Sequence, residues 1–210
     1  MRDFLSTLRR LDWLLFFAML ILLFLSASIL YSLNLNIEGS NFLIFIKQVV
    51  FILLCLVLFF LVANINYKVW STFSKLIYIL FALVLVVVIF LGKEINGTTG
   101  WIVIGPLTLQ PVEFAKVASL VLLARYFSDN AREFYMFKHI IYSGLITLFY
   151  IGLVMQQPDL GSSLVIIGVW LIMLLFTGLR KKYFFWLLAL GIVVVTCVWF
   201  FVLVPYQKSR

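Results

Sequence analysis

Charge is what this chain has least of. Only 11% of its 210 residues are Asp, Glu, Lys or Arg, while 65% are hydrophobic. A soluble domain of this length has too little interior to hide so much apolar surface. The scarcity of charge therefore excludes a water-soluble globule and predicts an all-α, polytopic membrane helix bundle. Cysteine is nearly absent. Cys55 and Cys197 both lie in apolar runs, which gives no support to a disulfide framework or a metal site and leaves packing as their role. The single histidine, His139, opens a hydrophobic run and is expected as an interfacial side chain rather than a ligand. Strict polar–apolar alternation is missing too, so a β-barrel is excluded. No clear internal repeat is found, and the middles of the apolar runs lack acids, which argues against an ion-coupled solute carrier.

What is there is a series of apolar runs. A hydrocarbon core of roughly 30 Å needs about 20 helical residues. Seven runs qualify, at 11–33, 42–63, 69–91, 110–127, 139–155, 160–179 and 183–204. Arg2, Arg9 and Arg10 precede the first run, which is too long for the core of a signal peptide and is expected as a retained span. The net charge of +8 reads as topology rather than nucleic-acid binding, because the basic residues cluster in short loops. With the N-terminus inside, Arg2, Arg9, Arg10, Lys68, Lys75, Arg125, Arg132, Lys138, Arg180, Lys181 and Lys182 face the cytoplasm. Lys47, Lys93, Lys116, Lys208 and Arg210 face outward. The cytoplasmic excess fixes the orientation.

Two polar islands interrupt the runs, Asn96 to Lys116 and Gln156 to Ser163. Three of the four prolines fall within them. Both islands, with Glu94, Glu113, Lys116 and Asp159, are assigned to the outer face. In the first, Trp101-Ile102-Val103-Ile104 is expected to lie in the interface plane, with Trp101 read either as an anchor or as a site residue. Gln110-Pro111-Val112-Glu113 is a helix start, since proline is favoured at the first helical position. Glu113 then sits where a carboxylate can reach back to a free backbone N–H, and Lys116 follows on the same face. Lys116 can pair with Glu113, but a cation in the first turn opposes the helix dipole, so Lys116 calls for another anionic neighbour, from protein or substrate. In the second island, Gln157-Pro158-Asp159 begins another helix, with Asp159 as its N-cap and Ser162 and Ser163 small enough for close packing. The alternative is that Asp159 faces the same outer cavity as Glu113. Sequence spacing leaves both readings open.

Together these motifs resemble the SEDS family (shape, elongation, division and sporulation). The resemblance rests on Gly100-Trp101-Ile102, Gln110-Pro111-x-Glu113-Phe114-x-Lys116 and Gln157-Pro158-Asp159-Leu160-Gly161. Arg9-Arg10-Leu11-Asp12-Trp13 and Pro205-Tyr206-Gln207-Lys208-Ser209-Arg210 resemble its rod-shape branch more than its division branch. Val112 stands where the family usually has Ser, and Gly100 where it often has Arg. The resemblance covers the whole chain and implies seven of about ten family spans, an analogy at the level of the fold. It implies a peptidoglycan glycosyltransferase of the bacterial cytoplasmic membrane that polymerises lipid II at the outer face during elongation. Implied partners are a class B penicillin-binding protein and other membrane proteins of the elongation complex. Trp101, Glu113, Lys116 and Asp159 are the implied cavity residues, with Lys116 contacting pyrophosphate. A divalent cation, Mg or Mn, is a candidate helper, with no ligands assigned. The family's proposed base lies beyond Arg210, so residues 1–210 are expected to be one truncated transmembrane domain without polymerase activity of its own. A lipid II flippase and a structural membrane subunit are the alternatives.

Overall fold

In the computed structural model, the described residues are 11–36, 42–95, 97–105, 107–131 and 137–177, with isolated positions between 183 and 191. Six helices and three short strands are described in the order α1 (Trp13–Asn36), α2 (Leu43–Ala63), α3 (Tyr67–Leu91), β1 (Lys93–Ile95), β2 (Thr98–Ile104), β3 (Leu107–Leu109), α4 (Pro111–Asp129), α5 (Phe137–Met155) and α6 (Leu160–Phe176). The bundle is helical, as composition requires. The expected span at 183–204, with Cys197 and the C-terminal motif, lies outside the described residues apart from those isolated positions.

The chain divides into two compact units, Met1–Val69 and Trp70–Arg210. In the first, α1 and α2 are apolar almost all round. None of the α2 residues is buried, and Cys55 is exposed on it. In lipid such a surface costs nothing, and every backbone polar group is satisfied within its own helix.

The second unit has an interior. On α3, Ser74, Tyr78, Ala82, Leu85 and Val88 are buried, a stripe at three- and four-residue spacing. On α4, Val112, Ala115, Ala118, Ser119, Leu122 and Leu123 follow the same rule. Small residues on this face, with Ser162 and Ser163 on α6, let helix backbones approach closely. Tyr78, Leu85, Val112, Ala115, Tyr150, Val154 and Ile166 belong to one core cluster. Two tyrosines tie α3 to α5. Tyr150 donates to the Tyr78 carbonyl at 2.6 Å and Tyr78 to the Ile146 carbonyl at 2.7 Å, while their rings stack at 4.1 Å. Each hydroxyl thereby finds an acceptor where water is excluded.

Among the described residues, the helices long and apolar enough to cross a membrane are four: Trp13–Leu33, Leu43–Ala63, Tyr67–Leu91 and Lys138–Met155. Helix α4 carries Glu113 and Lys116 near its beginning and Arg125 and Asp129 near its end. Helix α6 is apolar but shorter. Strands β1, β2 and β3 form a three-stranded antiparallel sheet in that order, so Trp101-Ile102-Val103-Ile104 is strand. Trp101 pairs with Lys93 and Ile102 with Leu109. His139 also departs from expectation. It is only 4% exposed, with Nδ1 2.8 Å from the Tyr126 hydroxyl, so it packs against protein rather than reaching outward.

Candidate functional site

The sheet, the starts of α4 and α6, and the end of α5 meet at one end of the second unit, the end assigned outward by the charge bias. Gln110 precedes α4 in an extended conformation (φ −109°, ψ 104°), and Pro111 opens the helix. Its side chain makes no cap bond there. Instead Gln110 Nε2 donates to Asp159 Oδ2 at 3.1 Å across 49 residues of sequence. The two islands are thus joined by a direct hydrogen bond.

Asp159 is the N-cap of α6, as expected. Its Oδ1 accepts from the Ser162 backbone N–H at 3.0 Å, and its Oδ2 also accepts from Ser162 Oγ at 2.7 Å. Ser163 Oγ donates to the Asp159 carbonyl at 3.0 Å. A carboxylate that accepts from three donors at a helix N-terminus is held in one position by those bonds. Asp159 is therefore both cap and inter-island link.

Gln157 is the deeper link. It is 1% exposed, and its Nε2 donates to the Leu85 carbonyl on α3 at 3.1 Å. Its other amide atom faces the sheet. A Cβ built on Gly100 would lie 2.8 Å from Gln157 Oε1. A side chain at position 100 would have to move this buried amide, so the small residue and the buried glutamine go together.

Glu113 and Lys116 close on each other at 2.8 Å. The carboxylate turns to the lysine instead of reaching back to the helix start, where only the Glu113 backbone N–H meets the Gln110 carbonyl at 3.2 Å. The Glu113 side chain is 58% exposed and that of Lys116 18%. The pair is therefore screened on its acidic side, while the lysine stem is largely covered. The ion pair of Lys116 among the described residues is this one with Glu113, and a second anionic neighbour is not seen there. Among the described residues, no hydrogen bond or ion pair joins this pair to Asp159. Trp101 is half-buried on β2, and its indole N–H donates to Thr98 Oγ1 at 3.0 Å. Thr98 Oγ1 in turn donates to the Ile95 carbonyl at 3.1 Å. Its polar atom is thus held within its own hairpin.

The structure joins Gln110 to Asp159 by a hydrogen bond, anchors Gln157 separately on the Leu85 carbonyl beside Gly100, and places the Glu113–Lys116 pair in the first turns of α4. The Leu85 carbonyl and the Gly100–Gln157 contact were not foreseen. They join parts of the chain far apart in sequence, and no local pattern marks them. As for a divalent cation, no group of three or more His, Cys, Asp or Glu side chains comes together among the described residues. The two carboxylates here already hold Lys116 or Ser162 and Gln110, so the described residues do not form a cation cage.

A polytopic helix bundle with a short sheet, and with a Gln110–Asp159 hydrogen bond joining two of its helix starts, defines a multi-pass membrane protein. The chain belongs to the cell cycle protein family of FtsW, RodA and SpoVE, whose model matches residues 7–210. It is 32% identical over 149 residues to stage V sporulation protein E of Bacillus subtilis, covering 70% of this chain and 41% of that protein. It is 32% identical over 175 residues to the peptidoglycan glycosyltransferase RodA of Treponema pallidum, covering 83% of this chain and 40% of that protein. A chain of a solved peptidoglycan synthase complex superposes with a TM-score of 0.70 at 31% identity, over 91% of this chain and 56% of that one. The chain spans about half the length of the curated relatives it matches.

Proposed function

We propose that the protein is a peptidoglycan glycosyltransferase that polymerises lipid II at the outer face of the bacterial cytoplasmic membrane, in the elongation of the cell. The observation carrying this reading is the Gln110–Asp159 hydrogen bond, which turns two separate polar islands into one site. Relatives named as peptidoglycan glycosyltransferases support the reaction class. The reaction forms a glycosidic bond to an acceptor sugar hydroxyl and breaks the bond from the anomeric carbon to a lipid pyrophosphate. The hydroxyl proton leaves to a base, and negative charge gathers on the departing pyrophosphate.

Lys116 is the residue proposed to meet that charge. Glu113 holds its ammonium at the start of α4, where free backbone N–H groups also favour an anion. On substrate arrival the pyrophosphate takes over the ammonium from an exposed carboxylate. Asp159, Gln110 and Gln157 position the starts of α4 and α6, and Trp101 lies on the sheet beside them. The base is left unassigned. A class B penicillin-binding protein is the proposed partner, in line with the synthase complex among the structural relatives.

The test is the product. The protein expressed from its natural gene with its penicillin-binding partner is incubated with labelled lipid II in detergent, without any membrane gradient. Glycan strands are expected on a gel. Intact lipid II crossing a vesicle wall, with no polymer formed, would assign a transporter instead.

A further inference from the structure

At the opposite end of the same unit lies a cavity of about 430 Å³ between α3, α4 and α5. Its lining includes two cations, Lys75 and Arg125, a rim of Asp129 and Asn130, and apolar walls from Ile79, Leu122 and Ile146. The Lys/Arg bias assigns this end to the cytoplasm. Lys75 stands eight residues past Tyr67, about 12 Å along α3 from its start at 1.5 Å per residue. Arg125 stands one turn before the end of α4. Both cations therefore lie inward of the helix ends, at a depth where an unpaired charge is costly.

Their surroundings differ. Arg125 Nη1 donates to the carbonyls of Ser71 and Thr72 at 2.8 and 3.1 Å and reaches Ser74 Oγ at 3.4 Å. Its Nε lies 3.4 Å from Asp129 Oδ2. Those bonds fix the guanidinium at the cavity wall and leave Nη2 without a hydrogen-bond partner among the described residues. Asp129 is 64% exposed, so it neutralises Arg125 only in part. Lys75 has neither a hydrogen bond nor an ion pair among the described residues. The cavity thus keeps a net positive charge beside an apolar wall that runs toward the middle of the bundle.

We propose that this cavity binds an anionic phospholipid of the inner leaflet. The headgroup phosphate sits between Lys75 and the free edge of Arg125, and an acyl chain lies along Ile79, Leu122 and Ile146. Basic pockets between membrane helices on the cytoplasmic side are suited to such headgroups, and Arg presents a planar fork to phosphate oxygens. The site is separate from the outer polar network and does not depend on the reaction proposed for it.

The full chain, purified in detergent, is titrated with phosphatidylglycerol, phosphatidylcholine or inorganic phosphate, and bound lipid is counted by native mass spectrometry. Saturable binding of phosphatidylglycerol in preference to phosphatidylcholine is expected, with no competition from inorganic phosphate. Lys75→Gln should weaken it about fivefold, the effect of one cation near an anionic lipid, while Lys75→Arg should retain it. Lys93→Gln, at the other end of the unit, should leave it unchanged. Thermal melting of each variant guards against misfolding. Equal binding of the two lipids, or unaltered binding by Lys75→Gln, would mean that Lys75 merely extends toward water, and would overturn the proposal. Full competition by inorganic phosphate would overturn the lipid as occupant.

Discussion

Asp159 shows how a structural and a functional reading coexist in one side chain. Its carboxylate caps α6 through Ser162 and accepts from Gln110. The cap needs only an oxygen acceptor, and Asn caps a helix about as well as Asp. Asp159→Asn should therefore keep thermal stability within about 0.5 kcal/mol of the parent, while Asp159→Ala should lose about 1 kcal/mol or more. If the negative charge also organises the polar end for substrate, Asp159→Asn should lower polymer yield despite normal melting. Equal melting of the Asn and Ala variants would refute the cap's part in stability. The cap itself was legible in the sequence, because Asp before Leu-Gly-Ser-Ser is a local signal. The bond from Gln110 was not, since 49 residues intervene and only the packing of α4 against α6 brings the two together.

At the scale of elements, the small sheet is where the sequence reading went astray. Thr98-Thr99-Gly100-Trp101-Ile102-Val103-Ile104 is rich in β-branched and aromatic residues, which suit strands. The Asn96-Gly97 pair just before it is a usual hairpin signature. The buried stripe on α3 and the buried face of α4 repeat at helical spacing, but exposed apolar residues flank them, so the sequence alone does not single them out. The second hairpin offers a clean test. Gly105 has φ +58°, and a Cβ there would meet nothing within 4 Å, so the cost of a substitution is purely conformational. Gly105→Ala should destabilise the protein by about 1 kcal/mol, and Gly105→Asn by less, because Asn tolerates the left-handed region. Melting temperatures of the two variants check the order, and Ala at or above the parent would contradict it.

Over the whole molecule, scarcity of charge decides the architecture, and the few charges that remain decide where chemistry is placed. The membrane class, the helical bundle and the helix starts were readable from composition and periodicity. Which helices carry an interior was not, because α2 and α3 are similarly apolar and only packing distinguishes an unburied helix from a striped one. In the proposed reading, the reaction class comes from relatives named as glycosyltransferases and the location from the Gln110–Asp159 bond. Lys116 is the residue on which these meet, a largely covered cation whose acidic partner lies open to solvent. Its role separates a glycosyltransfer site from a local helix-end ion pair. The decisive measurement is the rate of lipid II polymerisation by Lys116→Gln beside the parent and Lys116→Arg, each with its natural penicillin-binding partner and with melting temperatures matched. Loss of a positioned charge from the departing pyrophosphate should slow Lys116→Gln by at least about tenfold, with Lys116→Arg in between. Polymerisation by Lys116→Gln at the parental rate would contradict a role for this site in the reaction.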